Sequence, residues 1–160
     1  MIKEFQNLNN SEQSLMLETP ALIMILIAGA DGVIDEKEMD WAERVKMFRG
    51  SMKNSMLKEY YREAGKEFRK TVYKLLSKLP EKLSERNYEI TKRLKRINKI
   101  FPKLSKRFSV GLYKSFLSYA EQVAKASGGI MGFASISPEE KIWLNLNMID
   151  NPSVKNETNK

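Results

Sequence analysis

Residues 28–38 read AGADGVIDEKE, and this stretch decides the fold class because a weaker copy recurs about a hundred residues later. The second copy reads AKASG at residues 124–128 and, after a short insertion, ISPEE at residues 136–140. In both copies a tryptophan follows the last glutamate by three residues, Trp41 after Glu38 and Trp143 after Glu140. The sequence therefore predicts two related helix–turn–helix units with acidic turns in one small chain.

Helical spacing of apolar residues continues through the rest of the sequence. Thr19 can cap a helix and Pro20 suits its first turn, so one helix is expected from Pro20 to about Ala30. Asp35 and Glu38 have the spacing of a capping box at the start of the next helix. Further helices are expected over residues 51–79, with Gly65 able to divide them, and over 80–101, 104–124 and 137–149. No segment alternates with period two, so the predicted fold is all-α, a compact helical bundle.

Length and composition set the domain organisation. A chain of 160 residues usually forms one domain, and this length is sufficient to bury a substantial core. We expect a polar and partly ordered N-terminal segment over 1–18, one helical domain over 19–150, and a disordered tail over 151–160.

The chain contains no cysteine and no histidine, which excludes several kinds of chemistry. Disulfides, thiolate or imidazole metal sites, cysteine nucleophiles and histidine general bases are all absent. The sequence also has no glycine-rich phosphate loop and no Gly-x-Ser-x-Gly motif, so we expect a protein that is not an enzyme. A bound metal would be a hard cation such as Ca²⁺ or Mg²⁺, held by oxygen atoms.

The apolar residues 21–30 could be taken for part of a secretory signal. Glu4, Glu12 and Glu18 precede them with only Lys3 as a basic residue, which is the wrong charge for such a signal. About ten apolar residues are also too few to span a bilayer. We therefore interpret this run as a buried core helix and the protein as cytoplasmic.

With both motifs in view, the chain resembles the TerB-like superfamily, named for a tellurite-resistance protein. The resemblance rests on an apolar helix that ends in Ala30-Asp31-Gly32, on Ile34-Asp35-x-x-Glu38, and on the second copy at residues 136–140. It implies a helical bundle in which the two turns approach each other and bind a divalent cation. It further implies a role in stress or tellurite resistance, with protein partners and membrane-associated assemblies.

Carried over by position, the resemblance assigns the cation to four carboxylates: Asp31, Asp35, Glu38 and Glu140. The second turn departs from the pattern because Ser127 and Ser137 stand where the first has Asp31 and Asp35. A hydroxyl is a poorer ligand for a hard cation than a carboxylate, so affinity should fall. Helix capping explains the residue types at 35, 38, 137 and 140 equally well. Asp31 is not needed for the capping box and has an Asx turn as its alternative role.

A second hypothesis comes from the charge distribution. The net charge is +8, but residues 43–107 carry 21 basic and only 7 acidic side chains. On one helix, a shared face opposite Leu94, Ile97 and Phe101 would hold six cations: Lys92, Lys95, Arg96, Lys99, Lys103 and Lys106. Such a strip in the basic region 82–107 could bind an anionic membrane surface or, less favoured without a recognisable motif, nucleic acid. A solvated face is the alternative.

Overall fold

The computed structural model describes residues 2–30, 34, 36–37, 39–40, 43, 55–127 and 141–154. These residues form α-helices joined by turns and contain no strand, which confirms the all-α prediction. The α-helices are α1 (Asn10–Ala28), α2 (Ser55–Gly65), α3 (Phe68–Lys78), α4 (Leu83–Lys95), α5 (Ile97–Ile100) and α6 (Lys106–Ser127). Short 3-10 helices occupy Lys3–Phe5 and Phe101–Lys103.

Helix α1 lies at the centre of the bundle. Every residue from Thr19 to Ala28 is buried, and a helix that is apolar on all sides must be enclosed on all sides. Helices α2 to α6 all pack against it. By length and composition α1 is also able to cross a membrane, but 67% of its apolar 18-residue window is buried inside the bundle, as in the core helix of a soluble protein.

The prediction that this helix begins at Pro20 is wrong, because it begins at Asn10. Asn9 provides the N-cap: its side chain accepts from the Glu12 N–H at 2.9 Å, and Glu12 accepts from the Asn9 N–H at 3.0 Å. The predicted domain boundary between residues 18 and 19 therefore falls inside α1. Ile2, Phe5 and Leu8 are also buried, so the N-terminal segment contributes to the core.

Pro20 sits in the interior of α1 and has no N–H to donate to the carbonyl of Met16. The hydroxyl of Tyr60, on α2, donates to this carbonyl at 2.6 Å. Tyr60 is fully buried and makes edge-to-face contacts with Phe5, Tyr61 and Phe116 at centroid distances of 6.3, 5.0 and 6.1 Å. Burial raises the pKa of Tyr60 well above its usual value, so the hydroxyl keeps its proton and remains a donor.

The middle of the chain confirms one feature of the predicted helices and differs from the prediction in another. Gly65 ends α2 and α3 begins at Phe68, so the division expected at this glycine is confirmed. The basic region is not one helix, because α4 ends at Lys95, α5 follows after Arg96, and the 3-10 turn at Phe101–Lys103 precedes α6. Pro102 lies in that turn and cannot continue a helical hydrogen-bond pattern.

The helix expected up to Ile149 is wrong for residues 142–149, which form turns. Leu146 has a positive φ of 43° and is nevertheless fully buried. The side chain of Asn98 holds this segment, since it donates to the Met148 carbonyl at 3.0 Å and accepts from the Asp150 N–H at 2.8 Å. Tertiary hydrogen bonds from α5 therefore override the local helical periodicity. Of the predicted tail, residues 151–154 are described and continue this turn structure.

The pairing of Tyr60 with Pro20 can be tested with a double-mutant cycle. Tyr60→Phe should lower the free energy of unfolding by about 1–3 kcal/mol, because the buried Met16 carbonyl loses its donor. In a Pro20→Ala background the new N–H can bond the Met16 carbonyl, so Tyr60→Phe should lower the free energy of unfolding clearly less than in the parent. Urea denaturation of the four proteins measures the coupling. Equal costs in both backgrounds would contradict this role for Tyr60.

Candidate functional site

The four predicted metal ligands cannot be placed. Asp31, Asp35, Glu38 and Glu140 lie outside the described residues, as do both turn glycines, Gly32 and Gly128. The approach of the two acidic turns therefore stays a prediction. In the described parts of the chain no group of three or more acidic side chains is placed to hold a metal ion.

A buried cation lies where α1 ends, just before the first acidic turn. Arg86 of α4 is 7% exposed, and its Nη2 donates to the carbonyl of Gly29 at 2.9 Å. A Cβ on residue 29 would lie 2.7 Å from that Nη2 and 2.4 Å from the Ile25 carbonyl oxygen, so only glycine fits. The positive guanidinium interacts favourably with the C-terminal end of α1, which is the negative end of the helix dipole. The same positive charge is expected to disfavour a divalent cation close to it.

Three other carboxylates of the first acidic segment are held by Arg69 of α3. Its guanidinium pairs with Glu36 at 2.7 Å, with Glu43 at 3.2 Å, and with Asp40. The hydrogen bonds that Arg69 donates to Glu43 and then to Asp40 raise its pKa. Tyr73 donates to Glu36 at 2.7 Å, and this bond raises the pKa of the tyrosine. Sequence reasoning missed this cluster, since its members are 26 to 33 residues from Arg69.

The six cations of the basic strip fall into two groups, according to whether their side chains bond other described residues. Lys92, Lys95 and Lys99 are exposed on the outer side of α4 and α5. Leu94, Ile97 and Phe101 are buried on the opposite side, in agreement with the predicted separation of faces. Arg96 keeps helical angles (φ −63°, ψ −21°), so α5 continues the direction of α4. Among the described residues these three lysines have no ion-pair or hydrogen-bond partner for their side chains.

The other three members of the strip contact the two ends of the chain. Arg96 donates to the Ser11 hydroxyl at 3.2 Å, Lys103 pairs with Glu12 at 2.6 Å, and Lys106 donates to the Pro152 carbonyl. The hydrogen bond from Lys103, followed by that from the Asn9 N–H, lowers the pKa of Glu12. These three cations stabilise the fold locally, and anion binding by the six residues of the strip stays a prediction.

Tyr88 lies on the surface of α4. Its side chain is 68% exposed. Tyr88, Lys92, Lys95 and Lys99 follow the spacing i, i+4, i+7 and i+11, which confines them to an arc of about 60° on the helix. We call these four residues the outer ridge. The spacing was readable from the sequence, because Ile90, Leu94 and Ile97 already define the buried side.

The Arg69 cluster generates a stability prediction. Arg69→Gln should leave Glu36, Asp40 and Glu43 without their counter-ion and slightly reduce the free energy of unfolding, as expected for solvent-screened ion pairs. Amide hydrogen exchange at residues 36–43 should increase at the same time. Lys70→Gln is the matched control, because among the residues that the structure describes Lys70 pairs only with exposed Glu67, at 3.5 Å. Unchanged exchange in Arg69→Gln would show that the cluster does not hold this segment.

No protein-family model describes the chain, and none of the curated proteins or solved structures is significantly similar to it.

Proposed function

We propose that this protein is a non-enzymatic, cytoplasmic helical module that docks reversibly on an anionic membrane surface through the outer ridge. The observation that carries the proposal is the placement of three lysines beside one exposed tyrosine on a single narrow helix face, where no described residue supplies the lysines with an anionic partner. Unpaired surface lysines contribute to solubility wherever they lie, whereas their concentration on one face beside an exposed aromatic ring is what a docking surface for an anionic ligand requires.

The ridge chemistry suits a lipid–water interface. A lysine near an anionic bilayer contributes about 1 kcal/mol, so three lysines supply roughly 3 kcal/mol at moderate ionic strength. Tyrosine has an apolar ring and a polar hydroxyl, and it is enriched at the headgroup level of membranes. The sum predicts weak binding that responds steeply to salt, as expected for a protein that exchanges between the surface and solution.

Nucleic acid is the less favoured partner for the same face. The ridge is convex and has lysines rather than the arginines that contact bases and phosphates bidentately. One exposed aromatic residue is also a poor platform for stacking successive bases. Oligonucleotide binding is therefore treated as an outcome of the test.

The resemblance to TerB-like proteins supports a second proposal, a stress- or tellurite-resistance-associated interaction module with protein partners and a weak Ca²⁺ or Mg²⁺ site. Residues 36–37, 39–40 and 43 have helical backbone, and Met39 is buried. A helix directly after the first turn is what the resemblance implies. The buried charge of Arg86 argues for low cation affinity.

Membrane docking is tested by sedimentation with vesicles. The protein should bind phosphatidylcholine vesicles that contain 30% phosphatidylserine at low salt and should not bind pure phosphatidylcholine. The triple change of Lys92, Lys95 and Lys99 to Gln should weaken binding about a hundredfold, since three contributions of about 1 kcal/mol are lost. Tyr88→Ala as a single change should also weaken vesicle binding. The matched control changes Lys74, Lys78 and Lys82 to Gln, which are exposed lysines off the ridge.

Two outcomes would contradict the proposal. Equal effects of the ridge and control triples would mean that only net charge matters. Tighter binding to single- or double-stranded oligonucleotides than to anionic vesicles, at the same salt, would assign the ridge to nucleic acid.

The cation proposal is tested by thermal unfolding. Millimolar Ca²⁺ or Mg²⁺ should raise Tm, chelator should reverse the increase, and Asp31→Asn should abolish it while the fold is retained. A melting curve that does not change with either ion would remove the cation site.

A further inference from the structure

A small cleft opens beside the outer ridge, between the first half of α1 and the α4–α5 pair. Its volume is about 330 Å³, and it is lined by Ser11, Ser14, Leu15 and Glu18 on α1 and by Arg93 and Arg96 on the opposite wall. This volume is near the lower end of the roughly 300–1,000 Å³ that small-molecule pockets occupy. The cleft can therefore accept a small polar group.

The two arginines give the cleft its chemistry. They are three residues apart on one helical path, so both can reach the same opening. Arg96 uses one N–H on Ser11 at 3.2 Å. Arg93 is half-buried and, among the described residues, forms no ion pair. A guanidinium has five N–H donors in a planar fork, which matches the oxygen atoms of a phosphate better than a lysine does.

We propose that this cleft binds a phosphate monoester. Arg93 and Arg96 hold the phosphate oxygens through charge-assisted hydrogen bonds. The Ser11 hydroxyl, which already accepts from Arg96, donates its own proton to a third oxygen. The cleft deepens the function proposed above, and its role in membrane docking rests on that function. The lysines of the ridge supply general attraction to an anionic surface, and the cleft selects a headgroup.

Glu18 limits the affinity of the site. It lies two helical turns from Ser11, about 10 Å along α1, and accepts a long hydrogen bond from Ser14 at 3.4 Å. Its negative charge opposes an anion in the cleft and keeps the affinity for inorganic phosphate low, in the millimolar range. Removal of that charge should therefore strengthen binding, a result that a purely structural role for the cleft does not produce.

The first experiment uses inorganic phosphate and the whole chain. Titration at constant ionic strength, followed by phosphorus NMR, should show saturable binding. Arg93→Lys and Arg96→Lys keep the charge but lose the fork, so each should weaken binding about fivefold or more. Glu18→Gln should tighten it about threefold, as expected for one like charge at this distance. Lys74→Gln, an exposed lysine away from both the ridge and the cleft, should leave it within about twofold because its charge acts from solvent.

The second experiment separates a lipid headgroup from a soluble phosphate. Vesicles with phosphatidic acid present a phosphate monoester, and vesicles with phosphatidylserine present only a diester. At matched surface potential the protein should prefer phosphatidic acid, and Arg93→Lys should remove the preference while binding to phosphatidylserine remains. Phosphate binding without this preference would support the cleft and assign it to a soluble ester.

The failures are distinguishable. Phosphate binding with no binding to any anionic vesicle would sustain the cleft and overturn the membrane proposal. No saturable phosphate binding, or Arg→Lys variants equal to the parent, would overturn the cleft. If the cleft fails this test but vesicle binding still depends on the ridge lysines, the membrane proposal stands.

Discussion

The structure depends on the complete burial of α1 between Thr19 and Ala28. A segment that is apolar on every side can be stable in water only inside other helices, so α2 to α6 must each offer it one apolar face. Pro20 adds a second demand, because the Met16 carbonyl is buried and deprived of its helical donor. An unpaired buried carbonyl costs about 1–3 kcal/mol. Tyr60 removes this cost with a 2.6 Å hydrogen bond, and the edge-to-face contacts of its ring with Phe5 and Phe116 hold α2 against the N-terminal segment and α6.

The exposed chemistry follows from the same constraint. Since α4 and α5 turn Ile90, Leu94 and Ile97 towards α1, the residues about half a turn away must face solvent. Those residues are Tyr88, Lys92, Lys95 and Lys99. On one flank the first half of α1 approaches Arg93 and Arg96 and forms the cleft. On the other flank Asn98 binds residues 148–150. Core packing thus determines which cations are free and which are engaged.

Local signals in the sequence were sufficient for part of this architecture. Gly65 divides α2 from α3, and helical periodicity separates the exposed lysines from Leu94 and Ile97. The errors arose where a distant residue decides the outcome. Thr19-Pro20 has the local pattern of a helix start, but Asn9 and Glu12 already form a complete capping box, and Tyr60 compensates for the proline by donating to the Met16 carbonyl, 44 residues earlier in the chain. Residues 142–149 have helical spacing, but hydrogen bonds from Asn98 hold them in turns. In the site, the partners of Arg96 and Lys103 are 85 and 91 residues earlier in the chain, a separation that no local pattern reports.

The engaged cations also shape the electrostatics of the free ones. Glu12 neutralises Lys103 at the far end of the strip, and Glu4 accepts from both the N–H and the hydroxyl of Ser105 where α6 begins. Among the described residues, Lys103 is the member of the strip that a carboxylate neutralises, whereas Arg96 and Lys106 bond neutral oxygen atoms and keep their charge. The ridge lysines and the two arginines of the cleft therefore form one positive face, whose potential falls steeply over a Debye length of about 8–10 Å. An anionic surface is attracted to this face in one orientation, with a phosphate-sized cleft at its edge.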